Sequence, residues 1–275
     1  MTNRQTSRKG NGLGQVLLIL MGSALVLFLA APLLGLIAAT SFGDFVAGLA
    51  HPLVWPALRL SFVTTTTSLL FVVAFGTPLA WSLSRVNNRF MSSVEVLVRL
   101  PAVIPPAVAG VALLLAFGRR GMLAGWLYPR GTSVAFTTAA VVMAEIFVSA
   151  PFFVQAAASA FRRLDTNCLI VARTLGASHF RVFFRVALPL AAPGILAGAA
   201  MSWARGLGEF GATLMFAGNF TGETQTLPLA IYTALESDLR AAQALSLVLV
   251  VVAFAVLLFV RFVLARTTAD ELREY

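Results

Sequence analysis

Apolar residues along this chain fall into six long runs, at about residues 13–39, 58–83, 100–117, 134–158, 189–216 and 241–264, with short polar stretches between them. A helix needs roughly 20 such residues to cross the hydrocarbon core of a bilayer. Inside lipid the backbone must satisfy its own hydrogen bonds, so continuous apolar runs of this length read as spanning helices. The pattern predicts an all-α membrane protein with six transmembrane helices. A signal peptide shares the positively charged start, but its apolar part is only about 7 to 15 residues, so the first run reads as an uncleaved span. The expected organisation is a tail over 1–13, a membrane domain over 14–265 and a second tail over 266–275.

One stretch breaks the apolar pattern in an informative way. Residues 164–195 read LDTNCLIVARTLGASHFRVFFRVALPLAAPGI and carry Asp165, Arg173, His179, Arg181 and Arg185 between two spans. Gly176 just beyond Leu175 marks the end of one helix, and Ser178 is placed to cap a second helix that Pro189 interrupts. Two short helices meeting at a bend form a surface knob over 161–188, suited to docking another protein. Leu169, Ala172 and Leu175, spaced i, i+3 and i+6, form an apolar stripe able to seat in a groove.

Composition sharpens this picture. Of 275 residues, 59% are hydrophobic and 11% charged, with a mean hydropathy of +0.89; a soluble domain carries about a quarter charged residues. The net charge of +9 sits in short loops, so membrane topology explains it without nucleic acid. On alternate sides of the spans, Lys and Arg divide 14 to 5, with Arg205 inside the membrane. The richer side is cytoplasmic by the positive-inside rule, which places both termini and the 161–188 knob inside the cell. Five arginines lie outside: Arg59, Arg119, Arg120, Arg130 and Arg240.

Candidate chemistry is sparse. Cys168, the single cysteine, rules out an internal disulfide. His51 and His179 fall on opposite sides and make no metal site. The consecutive threonines 64–67 read as helix residues whose hydroxyls bond back to their own backbone. Pro105 and Pro106 are expected in the first turns of the third span. Three charges lie within spans, Glu145, Arg205 and Glu209, where isolation is costly; they are expected to pair between spans or to line a translocation path. Leu100-Pro101 with Pro105, and Leu188-Pro189 with Pro193, suggest a faint internal repeat.

The 164–195 stretch resembles the cytoplasmic "EAA" loop of ABC-importer permeases, whose pattern sets Glu-Ala-Ala six to four residues before a Gly and a Leu-Pro after it. Ile170, Val171 and Ala172 stand before Gly176, with Leu188-Pro189 behind; the Glu is replaced by Ile170. Together with IPPAVAGVALLLAFG from Ile104 and RGLGEFGATLMFAGNFTGETQTLPLAIYTAL from Arg205, the chain resembles the molybdate-type permeases, kin of the sulfate permeases. That resemblance implies a type I ABC-importer permease fold, and a homodimer forming a path for molybdate or tungstate. It also implies cytoplasmic ATPase subunits and an external binding protein that delivers the anion. It further implies that Asp165, Leu169, Ala172, Arg173, Leu175, Gly176, Ala177 and Ser178 couple the permease to its ATPase. The chain has no G-x-x-x-x-G-K-[ST] loop, so ATP is expected on the partner subunit and no enzyme activity or cofactor on this chain. Sulfate is the near alternative cargo. An ion-coupled secondary transporter, with Glu145 and Glu209 carrying protons, is the alternative of another class.

Overall fold

In the computed structural model, the described backbone comprises residues 12–128 and 133–271; the expectations for residues 1–11, for Arg130 and for residues 272–275 lie outside the described residues. Among these every regular element is helical. In order they are α1 (Gly12–Ala39), α2 (Phe42–Leu49), α3 (Val54–Arg85), α4 (Arg89–Val103), α5 (Pro106–Phe117), α6 (Ala124–Leu127), α7 (Thr138–Arg162), α8 (Thr166–Thr174) and α9 (His179–Val182). A π turn (Phe183–Ala187) then leads into α10 (Leu188–Leu207), followed by α11 (Gly211–Ala217), α12 (Leu227–Ser237) and α13 (Leu239–Glu271).

Five segments are long and apolar enough to cross a membrane, and α4 with α5 forms a sixth only as a pair bent by 116°. The third run is therefore not one straight span. Residue geometry before proline is the cause: Ile104 is extended (φ −69°, ψ 133°) ahead of Pro105, and Pro105 (ψ 135°) ahead of Pro106, which then starts α5. A residue preceding proline is pushed out of the helical region by the proline ring, and two in succession break the helix. The basic stretch over 85–99, expected as a loop, is mostly α4. Asn88 caps it through its side-chain oxygen, which accepts from Met91 N at 2.8 Å.

The fifth run departs from expectation at both ends. Pro189 does not interrupt the helix that Ser178 starts, because the backbone widens into the π turn just before it and continues as one rod from His179 to Leu207. A π turn is a usual way of absorbing a residue that cannot keep the α-helical ladder. At the far end the helix stops at Leu207, and α11 begins separately at Gly211.

Helices α3, α7 and α10 form the centre. Where α7 meets α10 closely it presents Ala156 and Ala160, and α10 answers with Gly194 and Gly198. A Cβ on Gly194 would sit 2.5 Å from the Ala160 Cβ, and one on Gly198 would sit 2.8 Å from the Ala156 Cβ. This is the small-xxx-small packing that lets two helices in lipid approach backbone to backbone, where the hydrophobic effect supplies no drive between them. Two arginines clamp the ends of α3 and α7: Arg85 donates to Phe161 O at 2.9 Å and Arg162 to Leu83 O at 3.3 Å. Helices α5 and α11 pack against α7 on one side, and α2, α12 and α13 gather on another, while α1 leans on α13. Its apolar surface stays open all round, as befits a helix facing lipid.

Candidate functional site

The knob folds as two capped helices. Asp165 starts α8 by accepting from Asn167 N at 2.9 Å, and Ser178 starts α9 by accepting from Arg181 N at 3.3 Å. Between them Ala177 N bonds Ala172 O at 3.1 Å and Gly176 N bonds Arg173 O at 2.9 Å. With Gly176 at φ +87° this is a Schellman end, whose left-handed residue carries a strain of roughly 1 kcal/mol or more if it has a side chain.

Burial corrects the expected apolar stripe. Leu169 is only 8% exposed and belongs to the inner cluster with Val182 and Ala187, while Ala172 and Ala177 are half-buried against the same cluster. Leu169 and Ala172 therefore anchor the knob to its own protein. The outward apolar residues are Ile170, Val171 and Leu175, the last 82% exposed; Arg173 and Ser178 are exposed beside them. The reason is helical phase: residues one position on from a buried stripe turn about 100° away from it. Ile170, standing where the resembling family has Glu, is on the outward side. Cys168 is also exposed.

The three charges within spans do not form one cluster of ion pairs. Arg205 Nη2 meets Glu209 Oε2 at 2.8 Å, four residues along its own segment rather than on another span. Glu209 Oε1 also accepts from Ala212 N at 2.8 Å, in the first turn of α11. One buried carboxylate thus ties the end of α10 to the start of α11 across the break between them. The paired geometry satisfies an acid whose side chain is 1% exposed.

Among the described residues, Glu145 is held by hydroxyls and not by a cation. Its Oε1 accepts from the hydroxyls of Thr64 at 2.9 Å and Thr65 at 3.2 Å, and its Oε2 from Ser68 at 2.8 Å. Thr64 does bond back to its own helix, as expected of the threonine run, at Ser61 O (3.3 Å), but Thr64 and Thr65 also reach across to α7. The signal was present in the sequence, since 64, 65 and 68 share one helix face, but which acid that face meets is decided by packing. Nearby, Ser202 donates to Ser149 O at 3.1 Å and Trp203 Nε1 to Thr66 at 3.4 Å, so α3, α7 and α10 are joined by polar bonds at one level. Ser61 accepts from Leu227 N at 2.7 Å and so caps α12 from α3. The proline echo is matched only at its Leu-Pro pairs, which lie within helices in both copies; the 116° bend at Pro105–Pro106 has no counterpart at Pro193, which sits inside α10.

Residues 73–269 match the family described as binding-protein-dependent transport system inner membrane component. The chain belongs to this family. Among relatives of this inner membrane component family, the molybdenum transport system permease protein ModB of Mycobacterium tuberculosis is 45% identical over 85% of this chain and 88% of its own length. ModB of Escherichia coli K12 is 38% identical over 74% of this chain and 89% of its own. In the solved structures, a chain of a bacterial alginate ABC transporter in complex with an alginate pentasaccharide-bound periplasmic protein superposes with a TM-score of 0.74 at 19% identity, covering 93% of this chain and 95% of that one. A chain of the inward-facing MetNI methionine ABC transporter gives 0.63 at 16%, over 78% and 95%. The fold is that of the type I ABC-importer permeases, and this family member is a multi-pass membrane protein.

Proposed function

We propose that this chain is the permease subunit of an ATP-driven importer, and that two copies together form the path for molybdate or tungstate. The observation that carries the reading is the 45% identity to a molybdenum permease over nearly the whole of both chains. An external binding protein delivers the anion, and a pair of ATPase subunits drives the cycle from the side on which α8 projects. Both termini and α8 face the cytoplasm on this reading, in line with the division of basic residues.

The coupling role follows from mechanics. The capped α8 is held to the membrane domain by Leu169 on one face and offers Ile170, Val171 and Leu175 on the other. A partner that grips the outer face moves the whole element, because the inner face is packed against the rod formed by α9, the π turn and α10. ATP binding that closes the partner subunits thereby exchanges the stability of inward-open and outward-open packings. Glu145, held by three hydroxyls of the same chain, is accounted for as a structural acid without carrying protons.

Uptake of labelled molybdate, tungstate and sulfate by vesicles containing the chain with its ATPase and binding protein tests the proposal. Molybdate or tungstate should enter in an ATP-dependent way, with excess sulfate competing poorly. Preferential sulfate uptake would make sulfate the cargo, and ATP-independent uptake of any of the three would end the importer reading.

A further inference from the structure

In the C-terminal half of α7, from Pro151 to Arg162, seven of the twelve residues are buried, and the rest form a single stripe. Its exposed members are Gln155, Ser159 and Arg162, flanked by half-buried Phe152 and Ala156. Together with Arg99 of α4 and Met201 of α10 this stripe lines a cavity of about 640 Å³. Neither Gln155 nor Ser159 makes a side-chain hydrogen bond within the described chain. Gln155 lies two helical turns, about 10 Å, from the Arg162 end of a membrane span. An unpartnered amide at that depth is costly against hydrocarbon and natural against water or a polar cargo.

Arg99 and Arg162 both line this cavity. Glu95 holds them side by side, with Arg99 Nη2 at 2.6 Å from its Oε1 and Arg162 Nη2 at 3.1 Å from its Oε2. The carboxylate engages only one terminal nitrogen of each guanidinium. Each guanidinium has five N–H donors, so both retain free donors. Two cations against one acid leave a local charge of +1, and planar guanidinium forks suit the oxygen edges of a tetrahedral oxyanion.

We propose that Arg99 and Arg162, with Ser159 and Gln155 above them, form a binding station for a tetrahedral oxyanion at the inner end of the path. The inference rests on the permease reading above and names a site within it. Glu95 is the part that makes it a station rather than a trap. When the anion is present it competes with Glu95 for the guanidiniums, and when it leaves the carboxylate takes them back, so binding stays weak enough for release, as conduction requires. An anionic lipid offers the same phosphate chemistry at the membrane edge. Its acyl chain would then have to lie along Ser159 and Gln155, which a hydrated anion suits and a hydrocarbon tail does not.

Equilibrium binding of labelled molybdate, tungstate and sulfate to the purified full chain in phospholipid-free detergent tests the site, with uptake per ATP hydrolysed measured in parallel on the assembled transporter in vesicles. Arg99, 53% exposed, can be replaced without opening the core. Arg99→Gln should weaken binding of the preferred anion at least tenfold and lower uptake per ATP, whereas Glu95→Gln should tighten binding at least threefold by removing the competitor. Unchanged affinity in both variants would overturn the site. Phosphatidylglycerol retained by the wild type, lost by Arg99→Gln, and abolishing anion binding when supplied in nanodiscs would reassign the arginines to a lipid headgroup and overturn it as well. Molybdate uptake that neither variant alters removes the station and leaves the permease reading standing, while vesicles that import none of the three anions remove both.

Discussion

Thr64 and Glu145 stand 81 residues apart in the chain and 2.9 Å apart at their oxygens, the threonine hydroxyl on α3 donating to the carboxylate on α7. With Thr65 and Ser68 on the same carboxylate, this contact fixes the rotation of α3 against α7. Glutamine keeps a carbonyl acceptor at this position, and leucine keeps none. Glu145→Gln should therefore alter the thermal stability of the chain in detergent by less than about 1 kcal/mol, whereas Glu145→Leu should cost about 2 kcal/mol by stranding buried hydroxyls. Thermal unfolding of both variants by a fluorescence assay is the check; equal midpoints would show that the hydroxyl cluster does not hold the helices.

The close approach of α7 and α10 predicts a rescue. Gly194→Ala places a methyl where the Ala160 methyl already sits, 2.5 Å away, and overpacking of this kind costs about 1–3 kcal/mol. Ala160→Gly removes the obstructing group. The double variant should regain most of the stability lost by Gly194→Ala alone, and additive losses in the thermodynamic cycle would mean the clash is relieved elsewhere.

Opposite faces of α8 should fail in different ways. Leu175→Asp, on the outward side, should reduce co-purification of the ATPase about tenfold with little change in the stability of the permease. Leu169→Ala, on the inward side, should destabilise the permease by about 2–5 kcal/mol, as for a buried leucine. Gly176→Val, which strains the Schellman turn, should weaken attachment or lower uptake per ATP. Normal attachment and coupling in both Leu175→Asp and Gly176→Val would remove α8 as the docking element.

Orientation can be read with a native reporter. Cys168 is the only cysteine in the chain and is exposed on α8. A membrane-impermeant maleimide should label it in inverted vesicles and not in intact cells. Labelling from outside would reverse the topology and place both termini and α8 on the outer face.

The amino-acid sequence by itself determined what depends on local physics: the approximate position of the apolar segments and the caps of α8 and α9. Asp165, Gly176 and Ser178 act through backbone groups within a few residues of themselves, so their roles were legible from spacing alone. Tertiary structure decided everything that depends on which faces meet. Leu-Pro followed by a second proline occurs twice, yet Pro105–Pro106 bends the chain by 116° while Pro193 lies inside an unbroken α10. Adjacent prolines force two successive extended residues; a lone proline needs only one displaced hydrogen bond, which the neighbouring helices can stabilise. Likewise, the acids of the spans were visible as costs, but their partners were not. Glu209 found a cation on its own segment and Glu145 found hydroxyls on another helix, because a buried carboxylate is satisfied by whichever donors packing brings within about 3 Å, and that geometry is written in no local pattern.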